Sequence, residues 1–202
     1  MRIETLTPGN GLEDRIGDIA RLRIQVFRDW PYLYDGDLDY EHGYLSNFAR
    51  SPGAVCIAAI DGDRVVGAST GLPVGDEHEP IRAPLREAGF DLARVFYLAE
   101  SVLLPDYRGR GVYRAFFTGR EAHARTLGGF DWTVFCGVER PADHPMRPAG
   151  VQPLDSVWRH FGYTHRPDIV CHFAWKDLGE ARETRKPMSF WTRPLGDISD
   201  GG

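Results

Sequence analysis

Arg108-Gly109-Arg110-Gly111 puts two arginines and two glycines in consecutive alternation. The arginines bring fixed positive charge and a donor fork suited to phosphate oxygens. The glycines let the backbone turn sharply and approach a ligand with no Cβ in the way. The flanks make the tetrad usable. Before it, Val95 to Leu104 is an apolar run long enough for a strand. After it, Val112, Ala115, Phe116, Gly119, Ala122 and His123 recur at helical spacing in a helix expected from Arg114 to Leu127. A strand, a glycine turn and a helix in succession leave the first helical N–H groups without intrahelical acceptors. Those groups point at whatever sits above the helix end. The local reading is a loop that grips a diphosphate; the plain alternative is a basic turn ahead of a surface helix.

The loop is neither G-x-x-x-x-G-K-S/T nor G-x-G-x-x-G. Arg108-x-x-Gly111, following Leu103-Leu104-Pro105-Asp106-Tyr107, resembles motif A of the GNAT acetyltransferase superfamily, Q/R-x-x-G-x-G/A after a strand. Tyr113 departs from that pattern where Gly or Ala is expected. Trp158-Arg159-His160-Phe161-Gly162-Tyr163 resembles the same family's late helix with its aromatic and glycine ending. The resemblance implies acetyl-CoA as cosubstrate. Its pyrophosphate would be held by Arg108, Gly109, Arg110, Gly111, Val112 and Tyr113, and its pantetheine arm would pair with the main chain of Val102, Leu103 and Leu104. It also implies direct attack by a primary amine of a small molecule. No Cys-His or Ser-His arrangement argues for a covalent intermediate. A non-catalytic CoA-binding sensor or regulatory module of the same fold is the alternative, motivated by the departures at Tyr113 and Trp158.

Glu100 is the candidate base. It is the only charged residue between Val95 and Leu104. Strict alternation would place it on one strand face with Phe96, Leu98, Val102 and Leu104. A carboxylate among apolar neighbours is costly unless paired, and desolvation would raise its pKa. A buried structural pair with an arginine is the competing reading. The family often has a tyrosine, serving as acid, where Trp158 stands here. An indole N–H donates a hydrogen bond but delivers no proton at neutral pH. Tyr163, Ser156 and Tyr113 lie in the right region, and spacing favours none of them. Trp30, Tyr32 and Tyr34, after the first helix, are candidates for an acceptor-pocket wall or for core. Arg140 and His144 stand in the loop where an acceptor site would open; solvated loop residues are the alternative. His123 reads as a satisfied core group.

The elements that must position these groups follow from periodicity and breakers. A short strand spans Arg2 to Leu6. Helices are expected at about Leu12–Asp29, with Arg15, Arg21, Arg23 and Arg28 mostly off its apolar stripe, and at Asp39–Ala49 with Asp39 as cap. Strands at Ala54–Ile60 and Arg64–Leu72 flank an Asp61-Gly62-Asp63 hairpin turn. Pro73 to Asp91 reads as a long connection with one short helix near Ala83–Ala88. Asp131–Val138, Tyr163–Trp175 and Pro187–Arg193 read as strands, Glu139–Pro153 as a loop and Leu154–Phe161 as a helix. The order β-α-α-β-β-β-α-β-α-β-β implies an α/β fold with a mixed, largely antiparallel sheet flanked by helices. The same order runs through the GNAT superfamily.

At 202 residues, one domain over 1–195 is expected, with a disordered tail over 196–202. A net charge of -5 argues against general nucleic-acid binding. No apolar run has the length of a membrane span, and the N-terminus has no signal-peptide core. Cys56, Cys136 and Cys171 are odd in number and sit in apolar runs; free thiols in a reducing cytoplasm are the expectation, and no zinc spacing occurs. Phe173, Trp175, Phe190 and Trp191 would either build a homodimer or complete the core.

Overall fold

The computed structural model describes residues 1–196. Apart from Gly196, the tail expected to be disordered lies outside the described residues. Five strands come in hairpin-like antiparallel company: β1 (Arg2–Leu6), β2 (Val55–Asp61), β3 (Arg64–Pro73), β6 (Thr164–Trp175) and β7 (Thr184–Pro194). β4 (Val95–Leu103) and β5 (Trp132–Val138) lie in the centre. The seven strands form one sheet in the order β1-β2-β3-β4-β5-β7-β6, antiparallel throughout except between β4 and β5. The mixed, largely antiparallel sheet is therefore as the sequence implies. The β2–β3 turn is tight: Asp61 pairs with Arg64, and Gly62 takes φ +58°.

α1 (Leu12–Phe27) and α2 (Leu38–Phe48) pack together on one face of the sheet, with α1 over β3 and β4. α4 (Val112–Leu127) crosses the other face over β2, β3 and β4. Its approach is close. A Cβ on Gly119 would come within 2.9 Å of Ile57, so only glycine fits at that crossing. α2 is capped by Asp37, whose side chain accepts from the Tyr40 N–H, two residues earlier than the expected Asp39. α3 (Glu79–Glu87) is longer than the helix read near Ala83–Ala88. Pro80 sits in its first turn, where a missing N–H costs nothing. α3 adds one helix to the expected order. The short α5 (Asp155–His160) precedes β6.

Two irregularities of β4 shape everything that follows. Thr70 pairs with Glu100 but Leu72 pairs with Tyr97, so Leu98 and Ala99 together oppose Gly71: a β-bulge. The bulge also reverses the facing of residues beyond it. Phe96 packs on His123 of α4, whereas Glu100 points to the opposite face and meets Arg23 of α1. Strict alternation, which grouped Glu100 with Phe96, does not survive it. The second irregularity is a gap. β4 and β5 pair only over Val95–Tyr97 and Trp132–Val134. Beyond that, β4 follows β3 and β5 follows β7, and the sheet splits.

Candidate active site

The split opens toward the N-terminus of α4. Gly109 and Gly111 take φ +73° and +79°, in the left-handed region that glycine adopts freely, and open space surrounds both. The first backbone N–H of α4 bonded to a carbonyl from outside the helix is that of Ala115, which donates to Gly111 at 3.2 Å. The preceding N–H groups of the first turn face outward from the helix end. Arg108, Gly109, Arg110 and Gly111 are all exposed. The Arg110 guanidinium lies over the Tyr107 ring, which is itself held by Asp61 at 2.7 Å. Left-handed glycines, the open end of a helix and two exposed arginines thus lie together at the start of α4.

The main chain of β4 reaches the split in alternate residues only. The Leu104 N–H donates to the Val66 carbonyl at 3.0 Å. In an antiparallel ladder the polar groups of every second residue then face the same neighbour. Val102 and Leu104 therefore turn toward β3, and Ser101 and Leu103 turn toward the split. Of the three residues expected to pair with an extended ligand, Leu103 alone is so placed, and Ser101 replaces the other two. Arg108 already reaches the Leu103 carbonyl, at 3.5 Å.

A buried arginine props the bulge open. Arg120 of α4 is 1% exposed. It donates to the carbonyls of Phe116 (3.1 Å), Thr70 (3.2 Å) and Glu100 (3.0 Å) and to the Ser101 hydroxyl (3.0 Å). Burial lowers its pKa from the usual arginine value, opposed by the tyrosines and glutamates around it.

On the opposite face, Glu100 sits in an ion cluster. Its side chain is 6% exposed, and its Oε2 lies 2.5 Å from a guanidinium nitrogen of Arg23. Arg23 also holds Glu41 and stacks on Tyr44 and Phe27. Burial alone would lower the pKa of Arg23; Glu100, Tyr44 and Glu41 outweigh it, and the value is raised. The expectation of Glu100 as a lone carboxylate among apolar side chains thus loses its premise. Yet Oε1 of Glu100 is buried with no hydrogen-bond partner among the described residues. A buried acceptor left open is a place for a donor from outside the chain. Glu77 is a second carboxylate here. Its pKa is raised, chiefly by burial and further by Glu100, while the His78 N–H and Arg23 act against that rise.

Tyr32 packs against Phe27 and Trp175, ring centroids 4.5 and 5.9 Å away. Its hydroxyl pKa is raised by burial first, then by Cys136, Tyr113 and Glu100. Tyr34 instead belongs to the supporting shell: burial and Glu41 raise its pKa. Trp30 packs against His144, ring centroids 5.3 Å apart, and the His144 ring nitrogen accepts from the Met146 N–H. Arg140 is not a solvated or ligand-facing loop residue. Its guanidinium donates to the Pro31 and Tyr32 carbonyls at 2.8 and 2.6 Å and grips both oxygens of buried Asp177. It clamps the aromatic turn to the end of β6. The His123 Nε2–H donates to the Gly53 carbonyl, 3.1 Å away, as a core group. Phe190 and Trp191 complete the core, while Phe173 and Trp175 are half-buried.

Trp158 stacks edge-on against Phe135 and covers Gly137, where a Cβ would meet the indole at 2.8 Å. Its Nε1 donates to the Tyr113 hydroxyl at 3.1 Å. Periodicity alone missed Arg23, Arg120 and Glu77. The first two had a signal: Arg23 lies four residues after Ile19 and four before Phe27, and Arg120 four after Phe116 and four before Ala124. A charge in the middle of an apolar stripe is a buried charge with partners. Glu77 had none, because its position depends on how the chain folds back after β3.

No protein-family model matches the sequence, and no curated protein matches it. Solved structures do share its fold. The ribosomal-protein-alanine N-acetyltransferase of Brucella melitensis superposes with a TM-score of 0.61 at 15% identity, covering 96% of this chain and 99% of that one. An aminoglycoside 6'-N-acetyltransferase complexed with coenzyme A gives 0.58 at 15% identity, covering 99% and 100%. The yncA protein of Salmonella typhimurium, with its cofactor acetyl-CoA, gives 0.58 at 12% identity, covering 100% and 98%. The chain has the fold of the GNAT acetyltransferases over nearly its whole length.

Proposed function

We propose that this protein is an acetyl-CoA-dependent N-acyltransferase that acetylates a primary amine of a small molecule by direct attack. The observation that carries the reading is the sheet split at the β4 bulge, facing the glycine–arginine turn at the start of α4. An extended, amide-bearing arm fits such a split, because the Ser101 and Leu103 main chains offer it strand-like pairing. The diphosphate of the same molecule would rest on Arg108, Gly109, Arg110 and Gly111 and on the free N–H groups of Val112 and Tyr113. Neighbouring structures hold CoA and acetyl-CoA, which supports this cosubstrate.

The acceptor would approach from the face of α1 and α2. There, Glu41, Glu77 and Glu100 outnumber Arg23, so the site favours an amine that carries positive charge. The unpartnered Oε1 of Glu100 takes the ammonium, and the carboxylate accepts its proton as the base. Arg23 fixes the carboxylate's orientation through Oε2. Tyr32 lines the passage between donor and acceptor.

Thermal stabilisation by acetyl-CoA, CoA and a control nucleotide tests this on wild type and Gly111→Asp. A ligand at about 100 times its Kd adds roughly 2.7 kcal/mol. CoA species should raise the melting temperature of wild type but not of the variant, whose new carboxylate faces the diphosphate from a left-handed position. No shift in either protein refutes the reading. A shift without acetylation of any amine would return the sensor alternative.

A further inference from the structure

The two positions that depart from the GNAT pattern meet in one hydrogen bond. Trp158 stands where that family's acid is expected, and Tyr113 where a small residue is expected; the indole N–H of the first donates to the hydroxyl of the second. We propose that Tyr113 is the catalytic proton donor to the departing thiolate and that Trp158 is its positioning residue. This rests on the acyltransferase reading above.

Among Tyr163, Ser156 and Tyr113, the three hydroxyls near the late helix, the geometry favours Tyr113. The Tyr163 hydroxyl is 2% exposed, bonded to Thr133 at 3.0 Å and committed to Glu121 at 2.9 Å. Ser156 is exposed on α5. The Tyr113 hydroxyl accepts from Trp158, and its own proton has no acceptor among the described residues. The Tyr113 ring is wedged between Phe117 and Phe161, at centroid distances of 5.3 and 6.2 Å. So gripped, the ring holds its hydroxyl in the direction of the indole N–H. The anchor for that direction lies on β5: Trp158 covers Gly137 and packs on Phe135, in the stretch that β4 no longer pairs. The hydroxyl of Tyr113 is thereby held beside the stretch of β5 that β4 leaves unpaired.

The step balances without another reactant. The amine nitrogen attacks the thioester carbonyl, the C–N bond forms, and the C–S bond breaks with its electron pair going to sulfur. The Tyr113 O–H gives sulfur its proton, producing the thiol. The proton that the acylated nitrogen must release restores the hydroxyl. Burial keeps the hydroxyl protonated by raising its pKa, while the Trp158 N–H works the other way and eases transient phenolate character.

The test uses the full chain. Tyr113→Phe should lower kcat by ~10²-fold while KM for acetyl-CoA and the CoA-induced melting shift stay near wild type. Trp158→Phe, which keeps a ring over Gly137 but removes the donor, should lower kcat less. Replacing Tyr113 with 3,5-difluorotyrosine should move the alkaline limb of kcat to lower pH, which a packing role would not do. An amine-free readout accompanies these: the thiolate absorbance of bound CoA, titrated with pH, should show a higher thiol pKa in Tyr113→Phe than in wild type. Wild-type kcat and an unchanged bound-thiol titration in Tyr113→Phe overturn the proposal while leaving the acyltransferase reading intact. Failure of wild type to bind CoA overturns both.

Discussion

Replacing Arg120 with methionine tests whether the bulge, and hence the split, is held from α4. The side chain makes four hydrogen bonds: to the Phe116, Thr70 and Glu100 carbonyls and to the Ser101 hydroxyl. Two of these partners keep an alternative. The Phe116 carbonyl retains its helical N–H donor, and Ser101 retains Ser69 at 3.1 Å. The Thr70 and Glu100 carbonyls lose their arginine donor. Each hydrogen bond lost from a charged donor is worth about 1.5–3 kcal/mol, so the pair sets a loss of roughly 3–6 kcal/mol. Relief from burying a cation offsets part of that, and about 2–3 kcal/mol is expected. For a chain of this size each kcal/mol is worth about 2–4 °C in Tm, giving a drop of roughly 5–10 °C. Urea and thermal unfolding would measure it, with an unchanged urea m-value showing that the unfolded state is the same. Arg120→Lys keeps the charge without the fork and should lie between. The CoA-induced melting shift should shrink in the methionine variant, because the bulge relaxes toward regular pairing. A variant as stable as wild type, with its CoA response intact, would refute the reasoning.

Arg140→Met should cost about 2–4 kcal/mol, since it leaves buried Asp177 with Lys186 as its remaining ionic partner and frees the Pro31 and Tyr32 carbonyls. Thermal unfolding checks this; a loss near zero would mean that the turn is held without the clamp. Glu77→Gln should stabilise the protein more at neutral pH than at pH ~4.5, the ordinary glutamate range. The sign follows from the raised pKa of Glu77. Below the ordinary value both folded and unfolded states hold the proton. As pH rises through the folded value, the folded state must ionise a buried group and loses stability. Paired melting curves across that range test it, and a pH-independent difference between variant and wild type would contradict it.

The order of strands and helices was legible because each element satisfies its own local rule. The long apolar run of β4, the Asp61-Gly62-Asp63 turn and the stripe of α4 need no distant partner to be recognised. The glycine–arginine turn was legible for the same reason: left-handed glycines and a free helix end are local features. The tertiary structure decided what depends on residues far apart in sequence. The bulge in β4 exists only against Gly71 of β3 and under Arg120 of α4, and it alone sends Glu100 to the α1 face, into contact with Arg23. The pairing of Trp158 with Tyr113 spans 45 residues and needs the packing of α5 beside the start of α4. Arg140 looked like a surface charge because nothing near it in sequence announces Asp177, 37 residues away. Local geometry thus fixed the scaffold and the glycine–arginine turn. The polar surroundings of the split come from buried groups, whose partners are set by the packing of the whole chain.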